Sequence, residues 1–275
     1  MKLEQFFRKM FCHGLCDGGD GGNRGIGHAV CERLAGDGHR VLLVARDPER
    51  GRRAAASIRG DVEFVAGDLT TTASVRRLAD ELRARCPRVD VLVHNAGVWP
   101  SRRVLTSDGV EESFAVNHLA PFLLNHLLED RLGRVVQVSA GLYVKGRAEP
   151  GRTSVGAGFS SLRTYADTKL CNLLTVPLFA ERWREAGVTI DAVHPGVIRT
   201  GLGDRGGPLG WLLKAAKRRW ATAEEGAAPV VALAGGTGTG RYFDQAEEVP
   251  LQGPALDGDL ARRIWDEAET LTAVR

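Results

Sequence analysis

From about residue 25 onward, short apolar runs alternate with longer stretches whose apolar positions recur at helical spacing. Val41-Leu42-Leu43-Val44 is continuously apolar, as expected for a strand covered on both faces. Residues 48–58 read as a helix, Val62-Glu63-Phe64-Val65 as the next strand, and 73–85 as a helix capped by Thr71 or Thr72. Strands follow at 89–93, 134–138 and 188–193, separated by helices around 109–128 and 165–185. Such alternation predicts a three-layer α/β/α fold of the Rossmann type, with a doubly wound parallel sheet. No linker, repeat or low-complexity break divides residues 21–275, which read as one domain.

The start of the chain breaks the pattern. Residues 14–22 hold five glycines and two aspartates, a poor composition for a central strand, so the first strand is expected to be degraded and residues 1–20 divergent. Either the stretch has diverged or it records a reading-frame slip. Codons such as GGT-GGT-GAC for Gly18-Gly19-Asp20, read one base later, begin Val-Val-Thr.

Composition narrows the class. Apolar content of 43% and charged content of 26% are ordinary for a globular domain, and a net charge of +3 is too small to argue for nucleic acid. The basic run Lys214–Trp220 suits a solvated helix face better than a membrane-surface or partner-binding helix. Five scattered cysteines (Cys12, Cys16, Cys31, Cys86, Cys171) form no C-x-x-C pair. We therefore expect no zinc, no disulfide framework and a cytoplasmic setting. No apolar run approaches the roughly 18 residues of a membrane span, and the charged residues 1–10 lack a signal-peptide core.

Candidate chemistry sits just after the strands. Asp68, Asn95-Ala96-Gly97, Ser139 and His194-Pro195-Gly196 each follow a predicted strand, where doubly wound sheets bind ligands. Gly21-Gly22-Asn23-Arg24-Gly25-Ile26-Gly27 opens a predicted helix; glycines allow close backbone approach, and a helix N-terminus favours a pyrophosphate. Tyr165 and Lys169 are one helical turn apart and share a face. An adjacent ammonium favours a phenolate, whose unperturbed pKa is about 10, so Tyr165 can serve as general acid or base.

The G-x-x-x-G-I-G spacing of residues 21–27 resembles the glycine loop of the short-chain dehydrogenase/reductase family. So do His94-Asn95-Ala96-Gly97 (N-N-A-G), Tyr165-x-x-x-Lys169 and His194-Pro195-Gly196-Val197-Ile198-Arg199-Thr200. Asn117-His118-Leu119-Ala120-Pro121-Phe122-Leu123-Leu124 and Gly240-Arg241-Tyr242-Phe243 resemble segments of the retinol-dehydrogenase-like branch. The likeness runs through residues 20–250 and implies hydride transfer between a nicotinamide cofactor and the carbonyl or alcohol group of a small, apolar molecule. It assigns Tyr165 as acid/base, Lys169 as its tuner and ribose ligand, Asn117 as anchor of a water in the proton path, and Ser139 as the available strand-end serine. It also places Gly21, Asn23, Arg24, Gly25, Ile26 and Gly27 at the pyrophosphate, Asp68 and Leu69 at the adenine, Asn95, Ala96 and Gly97 at the ribose, and Pro195, Gly196, Val197 and Thr200 at the nicotinamide.

Cofactor choice is read after the second strand. Arg46, supported by Arg24, suits the 2′-phosphate of NADP(H); the alternative is NAD(H), with Asp47 on the ribose hydroxyls. Register raises a conflict at the serine. Matching Arg134–Val138 to the family's R-I-V-N-V puts Ala140, not Ser139, at the oxygen-binding position. The contrasting expectation is a catalytically impaired dinucleotide-binding sensor or scaffold. Residues 201–220 are a candidate substrate lid, and the helices at 109–128 and 165–185 are candidate homodimer faces.

Overall fold

The computed structural model describes residues 10–14, 25–198 and 221–274. Strands β1 (Met10–Gly14), β2 (Arg40–Ala45), β3 (Asp61–Ala66), β4 (Val89–His94), β5 (Leu132–Val138), β6 (Thr189–His194) and β7 (Tyr242–Asp244) are parallel, and β8 (Glu247–Glu248) returns antiparallel to β7. Their order is β3-β2-β1-β4-β5-β6-β7-β8. The order reverses direction between β1 and β4, and in such sheets that reversal marks the ligand crevice.

The expected α/β fold is therefore present, and its first strand is short rather than missing. β1 pairs with β2 through Met10↔Arg40 to Gly14↔Val44, and with β4 through Phe11↔Val91 to His13↔Val93. The apolar start Met10-Phe11-Cys12 supplies the strand, which ends at Gly14 where the glycine-rich stretch begins.

Helices α1 (Ile26–Gly36), α2 (Pro48–Ser57) and α6 (Ala223–Ala234) cover one face around Val30, Leu34, Leu43, Val136 and Val230. Helices α3 (Thr72–Arg85), α4 (112–128), α5 (Ser161–Arg182) and α7 (Gly258–Thr272) cover the other around Leu82, Phe122, Leu173 and Ile264. The short caps are local and legible: Asp47 accepts from Glu49 N–H and Arg50 N–H to start α2, and Thr71 accepts from Ser74 N–H to start α3.

Two features of this second layer matter later. The turn Glu112–Phe114 passes into a π-helical segment, Ala115–Leu119, before α-helical geometry resumes at Ala120–Leu128. Trp265 of α7 packs its ring on Phe122 and His126 of α4 and on Phe179 of α5, with centroids 4.9, 5.3 and 4.6 Å away. Among the described residues, no helix is long and apolar enough to cross a membrane.

Candidate active site

Asn117 lies inside the π-helical segment, completely buried. A π turn is wider than an α turn and is often found at functional positions. Here the Asn117 amide pairs with the loop after β4: Val98 N–H donates to Oδ1 at 2.7 Å, and Nδ2 donates to Val98 O at 3.0 Å. Nδ2 also donates to Thr168 Oγ1 at 3.0 Å, and that hydroxyl in turn donates to Tyr165 O. The sequence pattern did not single out Thr168, although it stands beside Lys169; it ties the asparagine to the tyrosine's helix.

Tyr165 and Lys169 are both buried on α5. The Lys169 ammonium lies 5.6 Å from the centroid of the Tyr165 ring and donates to Val138 O at 3.1 Å. Gly97 closes the group. A Cβ added there would sit 3.5 Å from Asn117 Oδ1 and 3.6 Å from Lys169 Nζ. The ends of β4 and β5, the π segment and one turn of α5 thus bring Asn95-Ala96-Gly97, Asn117, Tyr165 and Lys169 to one place. Trp99, which sequence reasoning missed, stacks on Tyr165 with centroids 4.7 Å apart and planes 13° apart.

Ser139 and Ala140 differ in setting. Ser139 is buried, and its hydroxyl makes no hydrogen bond to any protein group, Tyr165 and Lys169 included. Ala140 is partly exposed and caps the short 3-10 turn Gly141–Lys145. Next to it, a Cβ on Gly141 would come within 3.3 Å of the His194 ring. Burial lowers the pKa of His194, an effect opposed by Asp244 and reinforced by the charge of Lys169.

A cleft opens beside this group, at the carboxyl ends of β2, β3 and β4. Arg46, Asp68, Leu69, Ala96 and Gly97 line it, five positions expected at the cofactor. Gly67 in its wall has no space for a side chain, since an added Cβ would meet Val44 at 2.7 Å. Asp47 is engaged elsewhere. Its Oδ1 accepts from Arg50 N–H at 3.0 Å and Glu49 N–H at 2.9 Å, which holds its carboxyl below the usual range. Gly25 caps α1, whose first turn presents N–H groups without helical partners. A dinucleotide fits this arrangement: a cleft at the strand ends, a helix N-terminus and a cationic side chain at the rim. Pro195 is buried, Gly196 takes a left-handed φ of +93° and Val197 is exposed. Gly21, Asn23, Arg24 and Thr200, with the candidate lid 201–220, lie outside the described residues.

The short chain dehydrogenase family profile matches residues 20–206. The chain belongs to that family. Within it, this dehydrogenase/reductase falls in the retinol-dehydrogenase-like branch. It is 33% identical to mouse retinol dehydrogenase 14 (92% of this chain, 84% of that one) and 36% identical to human dehydrogenase/reductase SDR family member 13 (92% and 72%). It is also 35% identical to a protein of Streptomyces sp. (strain C5) that carries the name of a proposed daunorubicin C-13 ketoreductase (90% and 88%). An uncharacterised protein of Mycobacterium paratuberculosis superposes with a TM-score of 0.78 at 28% identity, covering 97% of this chain and 94% of that one. A Burkholderia cenocepacia short-chain dehydrogenase solved with NADP has a TM-score of 0.67 at 24% identity (86% and 95%), a likeness of fold.

Proposed function

We propose that this oxidoreductase interconverts a carbonyl and an alcohol on a small, apolar molecule with NADP(H), and that Tyr165, Lys169 and Asn117 carry the proton chemistry. The meeting of Asn117 and Lys169 at Gly97, with the Tyr165 ring 5.6 Å from the Lys169 ammonium, is the observation that carries the reading. A bound nicotinamide supplies the hydride for reduction or accepts it in oxidation. In reduction, the Tyr165 hydroxyl gives its proton to the carbonyl oxygen as a new C–H bond forms at carbon. The Lys169 ammonium favours the phenolate left behind. Asn117, locked to Val98 and Thr168, keeps a fixed amide in the path by which that proton is replaced. In oxidation the same groups run in reverse.

Preference for NADP(H) over NAD(H) rests on two neighbours. Arg46 is exposed at the rim of the dinucleotide cleft, whereas Asp47 spends its carboxylate on the start of α2. A guanidinium facing a phosphate gives strong, geometrically selective pairing. NADPH is therefore expected to bind at least about tenfold tighter than NADH, near 1.4 kcal/mol. Fluorescence titration with each cofactor measures this, and Arg46→Ala should erase most of the difference. Equal affinities in the native chain would remove NADP(H) from the proposal.

A further inference from the structure

Trp99 lies in the loop after β4, and two hydrogen bonds fasten that loop to the first turn of α5. Its indole Nε1 donates to Ser161 O at 2.8 Å, and Ser161 Oγ donates to Pro100 O at 2.7 Å. Ser161 precedes Tyr165 by four residues, one helical turn, so the two lie on the same strip of α5. An indole pinned at Ser161 is thereby laid along the next side chain on that strip. The observed stack with Tyr165, nearly parallel, is the result.

The consequences concern the acid. Tyr165 is only 6% exposed, and the half-buried Trp99 indole covers one face of the phenol ring. The ring is also 5.6 Å from the Lys169 ammonium. A phenol can swing about two side-chain torsions, and proton transfer needs its hydroxyl within about 3 Å of the accepting oxygen. A flat, fastened indole removes much of that freedom before substrate arrives.

Resting on the catalytic reading above, we propose that Trp99 is the positioning residue for Tyr165: held by Ser161, its indole fixes the plane of the phenol from which the proton is delivered. Two features act, the flat face and the Nε1 anchor on Ser161, so phenylalanine, which keeps the face and loses the anchor, should retain part of the effect, and leucine, which loses both, should retain none.

Two measurements on the full chain test this. The first needs no substrate: near-ultraviolet circular dichroism of the native chain, Trp99→Phe, Tyr165→Phe and the double variant. A stacked pair gives spectral changes that are coupled; simply additive changes would overturn the proposal. The second follows NADPH-dependent reduction of benzaldehyde as a probe. Trp99→Leu should lower kcat at least about tenfold with NADPH affinity nearly unchanged, and Trp99→Phe should fall between that variant and the native chain. A Trp99→Leu chain as fast as the native one would also overturn it. If the native chain reduces no benzaldehyde while the spectra remain coupled, the assigned reaction fails on this probe and the placing of Tyr165 by Trp99 stands.

Discussion

By the family resemblance Ala140 falls where an oxygen-binding serine is expected, and the hydroxyl of the adjacent Ser139 is buried without a protein hydrogen-bond partner. Negative charge grows on the substrate oxygen during reduction, and loss of one donor to such a site typically costs about 10²–10³ in rate, roughly 3–4 kcal/mol. Ala140→Ser is thus expected to raise kcat at least about tenfold with little effect on NADPH binding. Steady-state kinetics check it, and a neutral Ala140→Ser paired with an inactive Ser139→Ala would shift the register by one. A second residue-scale expectation concerns pH. Burial pushes His94 and His118 down from 6.5 to about 4, although Asn125 and Asn172 each bond one ring nitrogen. Both are neutral in the folded chain. Unfolded, each takes up a proton below about pH 6.5, so stability is full above that value and is lost as pH falls towards 4. Between about pH 7.5 and 5 each histidine should remove roughly 2 kcal/mol, and His94→Asn should flatten the slope of unfolding free energy against pH. An unchanged slope would contradict the neutral buried imidazole. The acid and its lysine were legible because Tyr165 and Lys169 sit within one turn. Trp99 was not: it stands in an aperiodic loop 66 positions from its partner, and no local pattern encodes that contact.

Elements differ in how much of themselves the sequence discloses. Strands β2 to β6 are rich in apolar residues, and their ends fall within two residues of the expected ones, whereas the short β7 and β8 lie beyond the expected strands. Helix α7 lies beyond the expected elements, although Leu260, Ala261, Ile264 and Ala268 recur at helical spacing and Asp257 caps it by accepting from Leu260 N–H. The π segment is different: nothing in Ala115-Val116-Asn117-His118-Leu119 departs from helical composition, and the wide turn emerges from Asn117 bonding the β4 loop. β1 is the element where composition misled. A glycine at its end and four more downstream masked a five-residue strand that pairs with both β2 and β4. Phe11→Pro tests it, since Phe11 pairs with both Val41 and Val91 and proline deletes a ladder donor in a central strand. The expected loss is about 1–3 kcal/mol for the buried ladder acceptor left unpaired, read as a drop in melting temperature and urea midpoint. An unaffected variant would mean that Met10–Gly14 does not form the sheet's middle.

At the scale of the molecule, fold and chemistry are joined by the reversal of strand order. Strands β1 and β4 diverge in their connections, and the cleft opened there meets the Asn117, Tyr165 and Lys169 group at Gly97. The same packing bears on assembly. Helices α4 and α5, the candidate dimer elements, pack Phe122, His126 and Phe179 against Trp265 of α7, so that part of their surface is covered within the chain. The central claim is narrower, that Tyr165 delivers the proton while the dinucleotide is held elsewhere. Reduction of a carbonyl probe by the native chain and by Tyr165→Phe, with NADPH affinity measured in the same samples, tests it most directly. The account predicts that turnover falls by at least about a hundredfold while NADPH binding stays within about threefold. Turnover that survives in Tyr165→Phe would contradict it.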